Sequence, residues 1–359
     1  MSSSATAKFV TLDGLRGVAA LVVLFFHVGQ AMPGLPIPGT PYLAVDLFFM
    51  LSGFVIGHAY HQRLASGMGF RRFLEVRWVR LYPLYFLGSL IGLAVPVIVA
   101  LASQQHWTAR PAVEAIPWAV AMLPVPDVDP YPTFILNPPA WSLCFEMIVN
   151  IGYGLLFRFL SQRTLVGLVA VSGALHLAGG AYTELLGNTL PGWWWLTAFL
   201  RTLFPFSVGL LINRLYRSGA LPRVKMPAVL IVAFFLGLIL LPSNGALGWL
   251  VAEGIVILGF PAVVILGVMN EPGAIAAPAM RISGDLSYPL YVLHWPILLV
   301  LVSGGGLLAV GPGTDHLLLV APVAIAAAWL ADRYYDRPVR AWAGRRLAAR
   351  RAIEAAPAL

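Results

Sequence analysis

Apolar runs long enough to cross a bilayer follow one another along almost the whole of this chain. Ten are legible, near 13–32, 41–60, 81–102, 140–160, 164–181, 193–212, 228–242, 247–269, 284–303 and 315–333, with 228–242 the shortest. A hydrocarbon core about 30 Å thick takes about 20 residues of helix. A segment in lipid must satisfy its backbone groups internally, so a run of this kind folds as a helix. With 59% hydrophobic and 11% charged residues in 359, the expected fold is all-α: a polytopic integral membrane protein of about 10 transmembrane helices. The runs continue almost to the C-terminus. The expected organisation is therefore a single transmembrane domain over 1–345 and a basic cytoplasmic tail over 346–359. The stretch Ile116 to Val125 is too short to cross and is expected to lie at the interface or to re-enter.

Charge sets the orientation. Grouping alternate connections collects 21 of the 23 Lys and Arg residues on one side. They include Lys8, Arg16, Arg77, Arg80, Arg214, Arg217 and the cluster from Arg333 to Arg351. The opposite loops hold only Arg110, and Arg201 lies inside a span. The positive-inside rule then makes both termini cytoplasmic. The formal charge of +8 thereby belongs to topology, and no nucleic-acid partner is expected. The Ala/Arg-rich stretch from Ala341 to Arg351 is expected to be a surface helix facing anionic lipid. On the other side, the proline-rich connection 103–139 carries Asp127, Asp129 and Tyr131, and Trp193, Trp194 and Trp195 open a span as an aromatic belt would. Residues 1–10 lack a secretory cleavage pattern, so the first span is expected to be retained. Cys144 is the only cysteine, which rules out an intrachain disulfide and a thiolate metal cluster.

Ionisable residues inside such runs are costly and mark function by default. Eleven residues separate Arg16 from His27, a helical rise of about 16 Å. With Arg16 at one face, His27 lies at or just beyond mid-membrane, and histidine suits proton transfer near neutral pH. Asp46, Glu146 and Glu253 each fall about six residues, roughly 9 Å, inside the outer end of their spans. Arg201 and His294 lie slightly deeper. Six titratable groups on six spans in one layer point to a shared polar cavity, although Asp46–Arg201 or Glu146–Arg201 could equally be neutralising structural pairs. His176 is expected only to pack, and His58 and His61 to be solvated. No His-Glu-x-x-His spacing, P-loop, dinucleotide fingerprint or Gly-x-Ser-x-Gly elbow is present, so no metal site is expected. At the basic face, Arg77 and Arg80 share one side of a helix near the level of Arg16, a guanidinium set suited to phosphate.

Several motifs in order resemble the acyltransferase 3 family of integral-membrane O-acyltransferases, from residue 11 to about 340. They are Leu12-Asp13-Gly14-Leu15-Arg16-Gly17 with His27, Val45-Asp46 through Ser52-Gly53-Phe54, and Arg77-x-x-Arg80-Leu-Tyr82-Pro83. Trp141-Ser142-Leu143 with Glu146 follows, then Ile282-Ser283-Gly284-Asp285-Leu286-Ser287-Tyr288-Pro289-Leu290-Tyr291 with His294 and Pro296. Asp336-Arg337-Pro338 departs from the Glu-x-Pro-like pattern expected after the last span. The resemblance implies transfer of an acyl group, often acetyl, from acyl-CoA (here acetyl-CoA in the first instance) to a hydroxyl of a carbohydrate, lipid-linked or other envelope-directed acceptor. The setting it implies is a bacterial inner membrane, with glycan-assembly proteins as partners. Arg16, Arg77 and Arg80 would hold the donor phosphates. His27 would act as general base, or as a nucleophile forming a transient acyl-imidazole. Glu146 or Asp46 would orient His27 or bind acceptor hydroxyls. Ser142, Tyr288, His294, Arg201 and Glu253 are further candidates for the acceptor. No esterase-like domain follows, so a second catalytic step is expected to belong to another protein. The rival reading is a proton-coupled transporter using the same His, Asp, Glu and Arg set. No pair of matching interrupted spans marks the inverted repeats such a carrier would show.

Overall fold

The computed structural model describes residues 9–31, 38–103, 110–126, 134–186, 193–243, 248–303 and 317–354. Among these the regular structure is helical, without a strand. The helices are α1 (Val10–Ala31), α2 (Ala44–Ala65), α3 (Phe70–Ser103), α4 (Arg110–Glu114), α5 (Ile116–Val120), α6 (Trp141–Leu156) and α7 (Gln162–Leu186). They continue with α8 (Trp193–Ser218), α9 (Ala228–Ile239), α10 (Gly248–Gly254), α11 (Phe260–Met269), α12 (Ala277–Ser303), α13 (Leu317–Ala331) and α14 (Arg337–Glu354). Among the described residues, each of the ten apolar runs falls mostly on helix. Six stretches, Val10–Gln30, Pro41–Ala65, Phe70–Leu101, Gln162–Glu184, Trp194–Ser218 and Gly248–Met269, are both long and apolar enough to cross a membrane. Helices α6, α9 and α13, of 16, 12 and 15 residues, are shorter.

The chain divides into two compact units, one of Met1–Met68 with Phe145–Tyr288, the other of Gly69–Cys144 with Pro289–Leu359. In the first, α2 and α8 form the closest helix pair. A Cβ at Gly53 would strike the carbonyl oxygen of Phe206, and one at Gly209 would strike that of Met50. Small residues of this kind let helices meet backbone to backbone where lipid gives no hydrophobic drive. The two helices run parallel: Asp46 meets Arg201 near their starts and Gly57 meets Asn213 near their ends. Helix α1 runs antiparallel to α2, with Phe26 near Tyr42 and Phe9 against Phe54. Helix α7 runs antiparallel to α8, with Gly173 on Phe204 and Gly179 by Thr197. Alternation of this sort is what successive crossings produce.

Two π-helical turns, Ile255–Gly259 and Asp332–Asp336, each end two residues before a proline, Pro261 and Pro338. A proline lacks the N–H of the α-helical ladder and crowds the carbonyl four residues back. The wider turn absorbs that misfit. Both turns lie beside carboxylates: Glu253 precedes the first, and Asp332 and Asp336 are part of the second.

The second unit is built along α3. Tyr85 Oη donates to Ala119 O at 2.7 Å and Tyr82 Oη to Val120 O at 2.9 Å, while the chain at Leu136 passes against Gly92. The segment Ile116 to Val125, expected to lie at the interface or re-enter, is thus tied to α3 at Tyr82 and Tyr85. Met122, at φ 57°, turns it. Helix α14 crosses residue 346 without a break. Arg351 bonds Glu75 of α3 at 2.9 Å, while Arg337 and Arg340 reach Asp332 and Asp336, each at 2.6 Å. The basic end of the chain is therefore held by carboxylates as well as offering Arg345, Arg346 and Arg350 outward.

Candidate active site

The Arg16 motif and the 282–287 motif are two halves of one contact. Gly14 and Gly17 of α1 face Met280 and Ser283 of α12, and a Cβ at Gly284 would stand 2.5 Å from that of Asp13. The glycines therefore serve close approach. Arg16 locks the junction: Nη2 donates to Gly284 O at 2.8 Å and Nε to Ser287 Oγ at 3.3 Å, with Asp13 at 3.6 Å. Ser287 is nearly fully buried.

Further along α1, half-buried His27 has Nδ1 2.9 Å from Gln30 Oε1. An amide oxygen only accepts, so Nδ1 carries the proton and the lone pair is on Nε2. Gln30 escaped sequence reasoning, although its i+3 spacing from His27 on a helix was the available signal.

In the same unit the intramembrane carboxylates each find a partner of their own. Fully buried Asp46 takes Arg201 in a two-point bond at 2.6 and 3.3 Å, and the guanidinium lies 5.8 Å from the Tyr42 ring. This is one of the two pairings the sequence left open; Arg201 has joined Asp46. Glu146 Oε1 accepts from Ser52 Oγ at 2.7 Å, six residues along α2 from Asp46, roughly 9 Å deeper. Glu253 meets His176 at 2.9 Å. His176 therefore does more than pack, contrary to expectation. The small residues around it are what admit its partners: Gly180 leaves room for the Glu253 carboxylate, and Gly173 for Phe204, on which the imidazole stacks at 5.5 Å. Half-buried His58, in the last turns of α2, stands against Phe9 and Phe54 at 5.0 and 6.1 Å.

The second unit brings together Ser142, Tyr291 and His294. Tyr291 Oη lies 2.6 Å from Ser142 Oγ, and both hydroxyls reach Pro139 O, at 3.2 and 3.0 Å. Fully buried His294 donates Nδ1–H to Tyr291 O at 2.6 Å, which leaves the lone pair on Nε2. Asn137, missed by sequence reasoning, ties this turn to α12 through Val292 O at 3.0 Å. Arg77 and Arg80 are half-buried on α3. Burial raises the Asp336 carboxyl to about 6, against the opposing pull of Arg340 and then Arg80. Tyr288 is half-buried on α12. Among the described residues no three His, Cys, Asp or Glu side chains are grouped to hold a metal ion. Lys8, Asp127, Asp129 and Tyr131 lie outside the described residues.

The chain is 36% identical over 201 residues to "Protein 2 in picA locus" of Rhizobium radiobacter, covering 50% of this chain and 99% of that protein. It is 27% identical over 248 residues to acyltransferase MdmB of Streptomyces mycarofaciens, covering 65% of this chain and 57% of the relative. No solved structure matches the chain significantly. The acyltransferase-domain profile of the acyltransferase 3 family matches residues 9–333, nearly the whole helical body described above. This chain, a multi-pass membrane protein, belongs to the acyltransferase 3 family of acyltransferases.

Proposed function

We propose that this protein is an O-acyltransferase of the bacterial inner membrane. It moves an acyl group, acetyl in the first instance, from cytoplasmic acyl-CoA to a hydroxyl of a carbohydrate, lipid-linked or other envelope-directed acceptor. The observation that carries the reading is the state of His27. Its Nδ1 proton is committed to Gln30, so Nε2 has the lone pair a general base needs. As the acceptor oxygen attacks the thioester carbonyl, Nε2 takes the hydroxyl proton. Collapse of the tetrahedral adduct breaks the C–S bond, and the proton passes to the departing thiolate. The products are an ester and free CoA, with His27 neutral again.

Arg77 and Arg80 are assigned the donor phosphates, where forked charged donors are most effective. Arg16 contributes to the same end of the donor while its bonds to Gly284 and Ser287 fix the angle at which α1 presents His27. Glu146, which accepts a hydrogen bond from Ser52, is assigned to acceptor hydroxyls. Asp46, bound to Arg201, positions rather than reacts. Ser142, Tyr288, His294 and Glu253 are assigned to acceptor recognition. Membrane lipid surrounds the site, and glycan-assembly proteins would supply or receive the acceptor.

The test is thiol release from acetyl-CoA by purified protein in nanodiscs with envelope glycan extract, with ester content of the glycans followed by mass spectrometry. His27→Ala should slow release by about 100-fold or more and leave donor affinity largely intact. Arg77→Ala with Arg80→Ala should weaken donor affinity more than the chemical step. Full activity in His27→Ala removes His27 from the mechanism, and unchanged donor affinity in the arginine variant moves the CoA site elsewhere.

A further inference from the structure

Helix α6 keeps its polar residues on one side. Ile148, Ile151 and Leu155 form an exposed apolar stripe. Glu146, Asn150 and Tyr153, spaced at i, i+4 and i+7, lie on the opposite face. Ser52 meets Glu146 at one end of this row. At the other end, Tyr153 lines a cavity of about 230 Å³ beside the ends of α2 and α8. Asn150 stands between them, wholly buried, and among the described residues neither its Oδ1 nor its Nδ2 has a hydrogen-bond partner. A carboxamide carries an acceptor oxygen and two N–H donors, and buried groups of this kind are almost always satisfied. Leucine has the same branched shape without that cost. A residue that lowers stability and finds no partner in the chain is placed for a ligand.

We infer that Asn150 holds the amide groups of the donor's pantetheine arm, an inference that rests on the reading of this protein as an acyl-CoA-dependent transferase. The arm presents amide N–H donors and carbonyl acceptors, so Oδ1 takes the first and Nδ2 the second. The register along α6 agrees. With the acceptor hydroxyl at Glu146, the acyl carbon reacts at that level. Asn150 lies four residues further toward the basic end of the helix, about 6 Å along its axis. In acyl-CoA the first amide nitrogen follows the acyl carbon by four bonds, about 5 Å when extended. An arm that enters past Tyr153 therefore brings an amide to Asn150 as its thioester reaches Glu146. The side chains that close over Asn150 part to admit it. Asn150 thus selects a thioester by the amide behind it, and takes no part in the proton transfer.

The experiment uses the full chain in nanodiscs, with envelope glycan extract as acceptor and thiol release as the signal. Asn150→Leu removes two unmet polar atoms, so it should melt no lower than the parent. It should nevertheless lose about tenfold or more in kcat/KM for acetyl-CoA. A second comparison uses two short donors of equal length, the acetyl thioester of N-acetylcysteamine and S-pentyl thioacetate, which lacks the amide. The parent should prefer the first, and Asn150→Leu should treat the two alike. A variant that melts several degrees lower has lost a partner within the protein, which overturns the inference. So does an unchanged kcat/KM for acetyl-CoA, a preference for the amide kept by the variant, or a loss confined to the KM of the acceptor. A parent that releases no thiol from acetyl-CoA removes the acyl-transfer reading itself, and this inference with it.

Discussion

Asp46 and Arg201 allow the architecture to be tested apart from the chemistry. Asp46 is wholly buried, and the side chain of Arg201 is 30% exposed, joined to it at 2.6 and 3.3 Å. An exposed pair of this kind would contribute about 0–1 kcal/mol. Removing one member of a buried pair costs about 3–5 kcal/mol, because the other charge stays in a poor solvent. The partial exposure of Arg201 lets water reach the surviving guanidinium, so Asp46→Asn should sit near about 3 kcal/mol. That is on the order of a hundredfold in the folded-to-unfolded ratio. Arg201→Met leaves the carboxylate in the fully buried position and should cost more. Replacing both, Asp46→Leu with Arg201→Met, should recover most of the loss, since apolar pairs of similar volume substitute for buried ion pairs at little cost. The assay is thermal inactivation in detergent, followed by size-exclusion fluorescence and paired with thiol release from acetyl-CoA. If Asp46 positions only, the double variant regains both stability and most activity. Single variants as stable as the parent would refute the energetic argument. A stable but inactive double variant would make the carboxylate a participant in the reaction.

Gln30→Leu should leave the fold intact and lower kcat more than KM, because His27 loses the acceptor that selects its tautomer. Gln30→Glu, which also accepts from Nδ1, should retain more activity and shift the pH–rate profile to higher pH. Asp336 gives a stability prediction. Its folded carboxyl titrates at about 6, above an unfolded aspartate at about 3.9. Between those values the folded state holds the extra proton, so stability should fall as pH rises from about 4 to 6 and then level off. Asp336→Asn should flatten that slope in a thermal-melt series across pH, and an unchanged slope would assign it to another group.

The helices were readable because the condition that creates them is local. A run of apolar residues as long as the hydrocarbon is thick becomes helix wherever its partners lie, and six stretches long and apolar enough to cross are helix here. The residues bearing charge were readable for the same reason: a carboxylate or imidazole inside such a run is conspicuous in the linear chain. Their pairing was not. Arg201 could have neutralised Asp46 or Glu146. The choice was made by Gly53 and Gly209, which bring α2 and α8 into backbone contact and so set Arg201 beside a residue 155 positions away. Ser52 likewise reaches Glu146, on α6, across 94 positions. Neither distance leaves a local periodicity to read. His176 shows the limit most plainly, since glycines that look like mere packing in sequence are in space the clearance that admits Glu253. Charge pattern and apolar length thus decide what each segment is, through the solvent it meets. Close packing alone decides which buried groups neutralise one another, because that depends on contacts between segments far apart along the chain.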